Sequence, residues 1–234
     1  MRRSLFSPFT RHCMSQTRFK CRSSIAGLLV AGAAFIQSLP AGQASPNDIR
    51  HAFLVTGPQT YIVSHHDRII WRYERPTRDG WVLPRGHILL VLAKGKNFGG
   101  GVVIVDRSNR RLFEYKGKQD EVNTAQFLEN NNILITEAGK EPCLKEIKPD
   151  GKVAVRLKLK CQTKNTHLQT RMARKLPNGN YLVPQLLDKV VREYTPEGKI
   201  VWEVKTPDMP FTAIRLPDNN TLIGCTRGNM ILEV

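Results

Sequence analysis

Apolar residues between positions 53 and 234 come in short bursts, several alternating with polar residues, and each burst ends in a cluster of Pro, Asn, Asp or Gly. That period belongs to half-buried strands, and no segment of this part repeats at helical spacing. Four elements recur in order. The first runs into a turn, as in Phe127-Leu128 and Ala213-Ile214-Arg215-Leu216. The second is Ile88–Leu92, Ile133–Ile135, Tyr181–Val183 or Thr221–Ile223, and the third is Val102–Val105, Leu144–Ile147, Val190–Tyr194 or Met230–Val234. After a Pro-Asp-Gly or Pro-Glu-Gly turn at 149 or 196 comes a fourth, such as Lys199–Val204. Asp-Gly between apolar runs is a strong hairpin signal. Between the first two elements lies a cassette, Leu176-Pro177-Asn178-Gly179-Asn180, with degraded copies opening at Leu83, Leu128 and Leu216. In it Gly and Asn supply positive φ at little cost.

The cassette recurs every 40 to 48 residues, the period of stacked supersecondary units. Four short antiparallel strands per unit predict an all-β chain whose units are blades of a β-propeller, with about four repeats. A β-sandwich also has many short strands, but it gives no reason for the cassette. Phe53–Val55, Tyr61–Val63 and Arg68–Trp71 read as second, third and fourth strands. Thr221–Ile223 and Met230–Val234 read as second and third with no fourth behind them. Two arrangements follow. Either the array is a partial ring, which fits Val234 ending on an apolar strand, or it is a closed four-bladed ring whose terminal strands complete one blade together.

Residues 1–44 stand apart from the repeats at 45–234. Arg2, Arg3, Arg11, Arg18, Lys20 and Arg22 precede an apolar run over 25–36 and then Ala41-Gly42-Gln43-Ala44, the order of a secretory signal peptide. The expected location is therefore periplasmic or secreted, with an Arg-rich mitochondrial presequence as the rival. The apolar run is too short for a transmembrane span. Of the formal charge of +16, these six cations leave +10 on the repeats. Lys148, Lys152, Arg156, Lys158 and Lys160 read first as a solvated strand face, and second as a docking face for anionic polysaccharide, lipid headgroups or nucleic acid. Nucleic acid is the least expected, since no recognition helix, zinc finger or aromatic RNA-binding motif accompanies the charge.

The remaining cysteines, Cys143, Cys161 and Cys225, lack metal-ligand spacing, and no metal site is expected. A hairpin centred on Asp150-Gly151 sets Cys143 opposite Lys158, so a disulfide to Cys161 needs a small shift; two free thiols are the alternative. His65-His66-Asp67 reads as a turn, and Gly99-Gly100-Gly101 as a flexible entry to the third strand rather than a phosphate loop. Trp71 and Trp202 fall at matching fourth-strand positions and are read as packing between blades.

Segments 68–72, 150–153 and 196–203, with Trp71 and Trp202, resemble the repeat of quinoprotein-type propellers. The Leu-Pro-Asn-Gly-Asn cassette followed by x-x-Glu-Tyr is also similar to bacterial arylsulfotransferase-like propellers. The quinoproteins hold their quinone with a pair of adjacent cysteines, which does not occur here, so no cofactor is expected. The arylsulfotransferases work through a histidine that accepts the sulfuryl group, and His167 is the residue this resemblance singles out. Propeller sites gather at the channel mouth, where loops enter the innermost strands. Those entries hold Arg78 and Asp79, then Asn123 and Gln126, then His167, Gln169 and Arg171, and finally Thr212. His167 is a candidate base or nucleophile, and Arg171 offers two donors to a sulfate, phosphate or carboxylate. In a plainer reading, Gln169 and Arg171 satisfy loop carbonyls and His167 is an exposed loop residue. The sequence thus points to an extracytoplasmic module binding a small molecule, glycan or protein at the channel mouth, with a transferase as the alternative.

Overall fold

A computed structural model describes residues 51–234, so the expected signal peptide lies outside the described residues. The described residues form eighteen strands in five separate antiparallel sheets, each a meander in chain order. The first sheet is β1 (Phe53–Val55), β2 (Thr60–Val63) and β3 (Ile69–Tyr73). The second is β4 (Thr77–Val82), β5 (Ile88–Leu92), β6 (Gly101–Val105) and β7 (Arg111–Lys116). The third is β8 (Glu121–Phe127), β9 (Ile133–Ala138), β10 (Cys143–Ile147) and β11 (Val153–Lys158). The fourth is β12 (Arg174–Lys175), β13 (Tyr181–Gln185), β14 (Val190–Tyr194) and β15 (Ile200–Lys205). The last is β16 (Pro210–Arg215), β17 (Thr221–Cys225) and β18 (Met230–Glu233). Among the described residues, no helix is long and apolar enough to cross a membrane.

These are the expected propeller blades, five rather than about four, and of the two arrangements the sequence left open, the terminal strands do not share a blade. Where a third strand meets a fourth, the register slips at one place in each blade: Ile104/Val105, Glu146/Ile147 and Glu193/Tyr194. The same slip at Ile62/Val63 identifies β2 and β3 as third and fourth strands. The N-terminal sheet therefore holds positions two to four and the C-terminal sheet positions one to three. They are two blades, five in all, so the terminal strands do not combine into one shared blade.

Alternation along the strands explains the stacking. Leu89 and Val91 face Val122, Ile133 and Ile135 of the next blade, while Leu90 and Leu92 on the opposite face of β5 meet Ile62 and Trp71. Leu134 and Leu144 pack on Tyr181, Val183 and Tyr194; Leu182 and Val191 pack on Ala213, Ile223 and Leu232. Trp71 is buried in the first seam, and Trp202 packs against the last. Burying each such side chain contributes about 1.5–3 kcal/mol.

The cassette closes the inner hairpin in every copy. Leu176 N donates to Asn180 O, and the bond repeats at Leu83, Leu128 and Leu216. The residue three beyond each Leu takes positive φ: Gly86, Asn131, Gly179 and Asn219. The residue four beyond has a second task. The amides of Asn132, Asn180 and Asn220 donate to Glu146, Glu193 and Glu233 on the third strand of their own blade. The copy at Leu83 carries His87 there and no third-strand acid.

Two of these glutamates also bind the next blade. Lys175 Nζ lies 2.5 Å from Glu146, and Arg215 Nη2 lies 2.7 Å from Glu193. Tyr181 donates to Glu146 at 2.6 Å. Burial by itself raises the Glu146 pKa, but Lys175, Tyr181 and Asn132 outweigh it and hold the carboxyl below the ordinary value. A lowered folded pKa contributes stability that is present above the unfolded value and lost as pH falls through the folded one. We expect the melting temperature to drop as pH goes below about 4.3, the ordinary Glu value, and Glu146→Gln to flatten that drop. Calorimetry from pH 7 to 3 checks this; equal slopes for both proteins would refute it.

Candidate functional site

Innermost strands run from an entry end, where the chain arrives from the previous blade, to the cassette end. Near the entry, pairing slips by one residue between Thr77 and Asp79, Val122 and Thr124, and Pro210 and Thr212. In the fourth blade the Thr170–Gln185 bridge and the Arg174–Leu182 pair also leave one extra residue on the inner strand. A bulge re-aims the side chain it carries. The position five residues before each cassette Leu lies in this bulged stretch, and is filled by Arg78, Asn123, Arg171 and Phe211.

Three of these are sequence candidates, and two meet His167. Connections between neighbouring blades are short except for residues 159–173, which separate β11 from β12. Asp188 pins this stretch by accepting from Gln162 N at 2.9 Å and Thr163 N at 3.2 Å. A 3-10 turn at Thr166–Leu168 then carries His167 over the inner strands. His167 Nδ1 lies 3.1 Å from Glu121 Oε1 and 3.5 Å from Arg78 Nη1. Arg171 Nη2 lies 3.3 Å from each ring nitrogen, and its Nη1 donates to Thr170 O at 2.8 Å. Arg78 also forms an ion pair with Glu121, whose carboxylate has no exposed surface.

Electrostatically the group is cationic. Burial, and then the like charge of Arg78, push the Arg171 guanidinium down to about 10, with Glu121 opposing them, so it stays protonated at neutral pH. Two guanidiniums face one carboxylate. The Asn123 side chain is 1% exposed, yet neither its oxygen nor its nitrogen has a protein partner; Glu121 Oε2 and Arg78 Nε are also unpartnered. Each unmet buried polar group costs about 1–3 kcal/mol, which favours a bound group that can donate and accept here.

The remaining candidates serve the scaffold. Asp79 faces the next blade rather than the cluster: its Oδ2 accepts from Thr124 Oγ1 at 2.8 Å and Ala125 N at 3.3 Å, with Arg174 at 3.7 Å. Gln169 exchanges hydrogen bonds with Gly139 N and O and donates to Thr163 O, the carbonyl-satisfying role of the plainer reading. Gln126 accepts from Lys175 N, and Thr212 pairs with Gly224. Glu121, which sequence reasoning passed over, completes the group. Its signal was an acid where the other repeats have Pro76, Gln169 and Met209.

Other marked residues lie elsewhere. Cys143 does pair with Lys158, but Cys143, Cys161 and Cys225 are all free thiols, and burial pushes Cys161 up to about 11. His65-His66-Asp67 occupies the turn between β2 and β3, and no cluster of three or more metal-binding side chains occurs among the described residues. A cavity of about 780 Å³ opens at the cassette end, lined by Trp81, Arg174, Lys175, Ile214 and Arg215 among others. Its cations are already engaged: Lys175 with Glu146, Arg215 with Glu193, and Arg174 over the Trp81 ring at 5.0 Å. The cations of this cavity are thus committed to the scaffold, whereas at the entry end Asn123, Glu121 Oε2 and Arg78 Nε are without partners.

No protein-family model matches the chain, and no curated protein matches it. Solved structures do. A protein of unknown function from Bacteroides caccae has a TM-score of 0.70 at 25% identity, over 80% of this chain and 69% of that one. A streptogramin B lyase has a TM-score of 0.57 at 14% identity, over 79% of this chain and 65% of that one. The Dos1 propeller has a TM-score of 0.53 at 11% identity, over 76% of this chain and 48% of its own. These likenesses carry the β-propeller fold and leave the chemistry to the residues of this chain.

Proposed function

We propose that this chain is an extracytoplasmic ligand-binding module that takes an anionic group at the entry end of its inner strands, between Arg78, Asn123, His167 and Arg171. One observation carries the reading: bulges at a fixed distance from the cassette set Arg78, Asn123 and Arg171 at one level of three successive blades. A carboxylate or sulfate would accept from the guanidiniums, and the Asn123 amide would fix its orientation. His167, with a side chain 51% exposed, forms the outer wall.

Titration calorimetry with galacturonate and with a small aryl sulfate tests this. Wild-type protein is expected to bind at least one of them, and Arg171→Met to weaken it by roughly ten- to a hundredfold, since a hydrogen bond to a charged group is worth about 1.5–3 kcal/mol. Binding that is indifferent to both Arg171→Met and Arg78→Met would refute the site.

The arylsulfotransferase-like reading has one specific support, the His167–Glu121 contact, because a carboxylate beside an imidazole is a common way to orient a base or nucleophile. Against it, Arg171 lies equally close to both ring nitrogens, an arrangement suited to holding the ring rather than freeing it. Aryl sulfate turnover that His167→Ala abolishes would move the conclusion from binding to transfer.

A further inference from the structure

The two ends of the strands differ in charge. Connections at the entry end, where Arg78, His167 and Arg171 meet, hold ten lysines and arginines against five acids; those at the cassette end hold seven against six. Of the ten, Arg171 is buried and the other nine are exposed. Lys160 and Lys164 stand on the connection that carries His167, while Lys94, Lys96, Lys118 and Lys140 stand on those of the second and third blades. Three of the five acids are engaged: Asp188 with loop backbone and Arg192, Glu141 with Arg156, and Asp208 with Met209 N. The excess charge thus continues outward from the mouth across several blades. A single small anion needs only the centre.

We propose that the entry face binds an acidic polysaccharide, with one carboxylate or sulfate of the chain seated between Arg78 and Arg171 and its neighbours lying over the exposed lysines. This rests on the mouth being an anion site. Repeated charges at sugar spacing match cations spread over adjoining loops, and release of counterions makes the contact salt-dependent. A single-stranded nucleic acid carries similar charge but needs aromatic faces to stack its bases. The aromatic rings of the entry connections reduce to Phe98 and His167; Phe98 is half-buried under the Arg75 guanidinium, 5.0 Å from its ring centre, and Arg171 Nη2 lies 3.3 Å from both ring nitrogens of His167. Those observations favour sugar over base.

The full chain should be titrated with galacturonate monomer, polygalacturonate, neutral dextran and a charge-matched single-stranded DNA, at 20 to about 300 mM salt. Polygalacturonate is expected to bind at least tenfold tighter per chain site than the monomer, with an affinity that falls steeply with salt, while dextran does not bind. Lys160→Gln with Lys164→Gln should weaken the polymer about twentyfold at low salt and leave the monomer unchanged; Arg171→Met should weaken both. Polymer binding no tighter than the monomer, or indifference to the lysine pair, overturns the polysaccharide and leaves the anion site standing. DNA binding as tight as polygalacturonate overturns it in favour of a nucleic acid. Failure of every anion to bind removes this inference and the anion site together.

Discussion

Glu137→Ala will lower the unfolding free energy by about 3–5 kcal/mol, the cost of stranding one member of a buried ion pair. Glu137 accepts from Lys145 Nζ at 2.7 Å, from the Tyr115 hydroxyl of the preceding blade at 3.1 Å and from Lys118 N at 3.3 Å. Lys145 is 5% exposed and cannot reach water when its partner is gone. Burial alone would lower the Lys145 pKa, but Glu137 and Tyr115 overcome this and hold it above the ordinary value. The pair's contribution is therefore complete below the unfolded lysine pKa and is lost only as pH rises through the folded one. Joining Glu137→Leu with Lys145→Met should restore much of the loss, because both buried charges then disappear. Urea unfolding followed by tryptophan fluorescence measures both; a single variant within about 1 kcal/mol of wild type would refute the account.

Gly99→Ala should cost about 3 kcal/mol by forced overpacking. A Cβ at Gly99 would stand 1.9 Å from Gln119 O, one at Gly101 would stand 2.4 Å from Tyr115 O, and Gly100 takes a φ of +86°. This triplet is where the connection between β5 and β6 crosses the one between β7 and β8, with Gly117 N bonded to Gly100 O and Val122 N to Gly99 O. The sequence suggests a flexible entry to a strand. The structure instead has a close crossing in which no side chain fits. Gly151→Ala is the control: its φ is +82° with nothing within 4 Å of the added carbon, so only the backbone penalty of roughly 1 kcal/mol remains. Equal losses at the two positions would contradict the steric explanation.

The blades were legible because their signals are local. Cassette turns, the Asp150-Gly151 hairpin and apolar alternation each act within a few residues, and the structure has strands at each of those places. The number of blades was harder to read, since it depends on which sheet β1 and β18 join, a pairing between distant segments. The candidate site divides along the same line. Arg78, Asn123 and Arg171 follow from counting back from the cassette Leu, whereas Glu121 and Asp79 part ways over rotations that a one-residue bulge sets. Asp79 looks like a mouth residue by position, yet the slip beside it directs its carboxylate to Thr124. The greater spacing from Leu128 to Leu176 was the mark of the extended connection that carries His167.

The ion pairs from Glu146 to Lys175 and from Glu193 to Arg215 have a consequence for how the array comes apart. Each blade holds the counter-charge of its neighbour, so melting one of them strands a charge in the next. Loss of structure should then spread through the third, fourth and fifth sheets as a single transition, and hydrogen exchange of Tyr181, Val191 and Ile223 amides should proceed with one common opening energy.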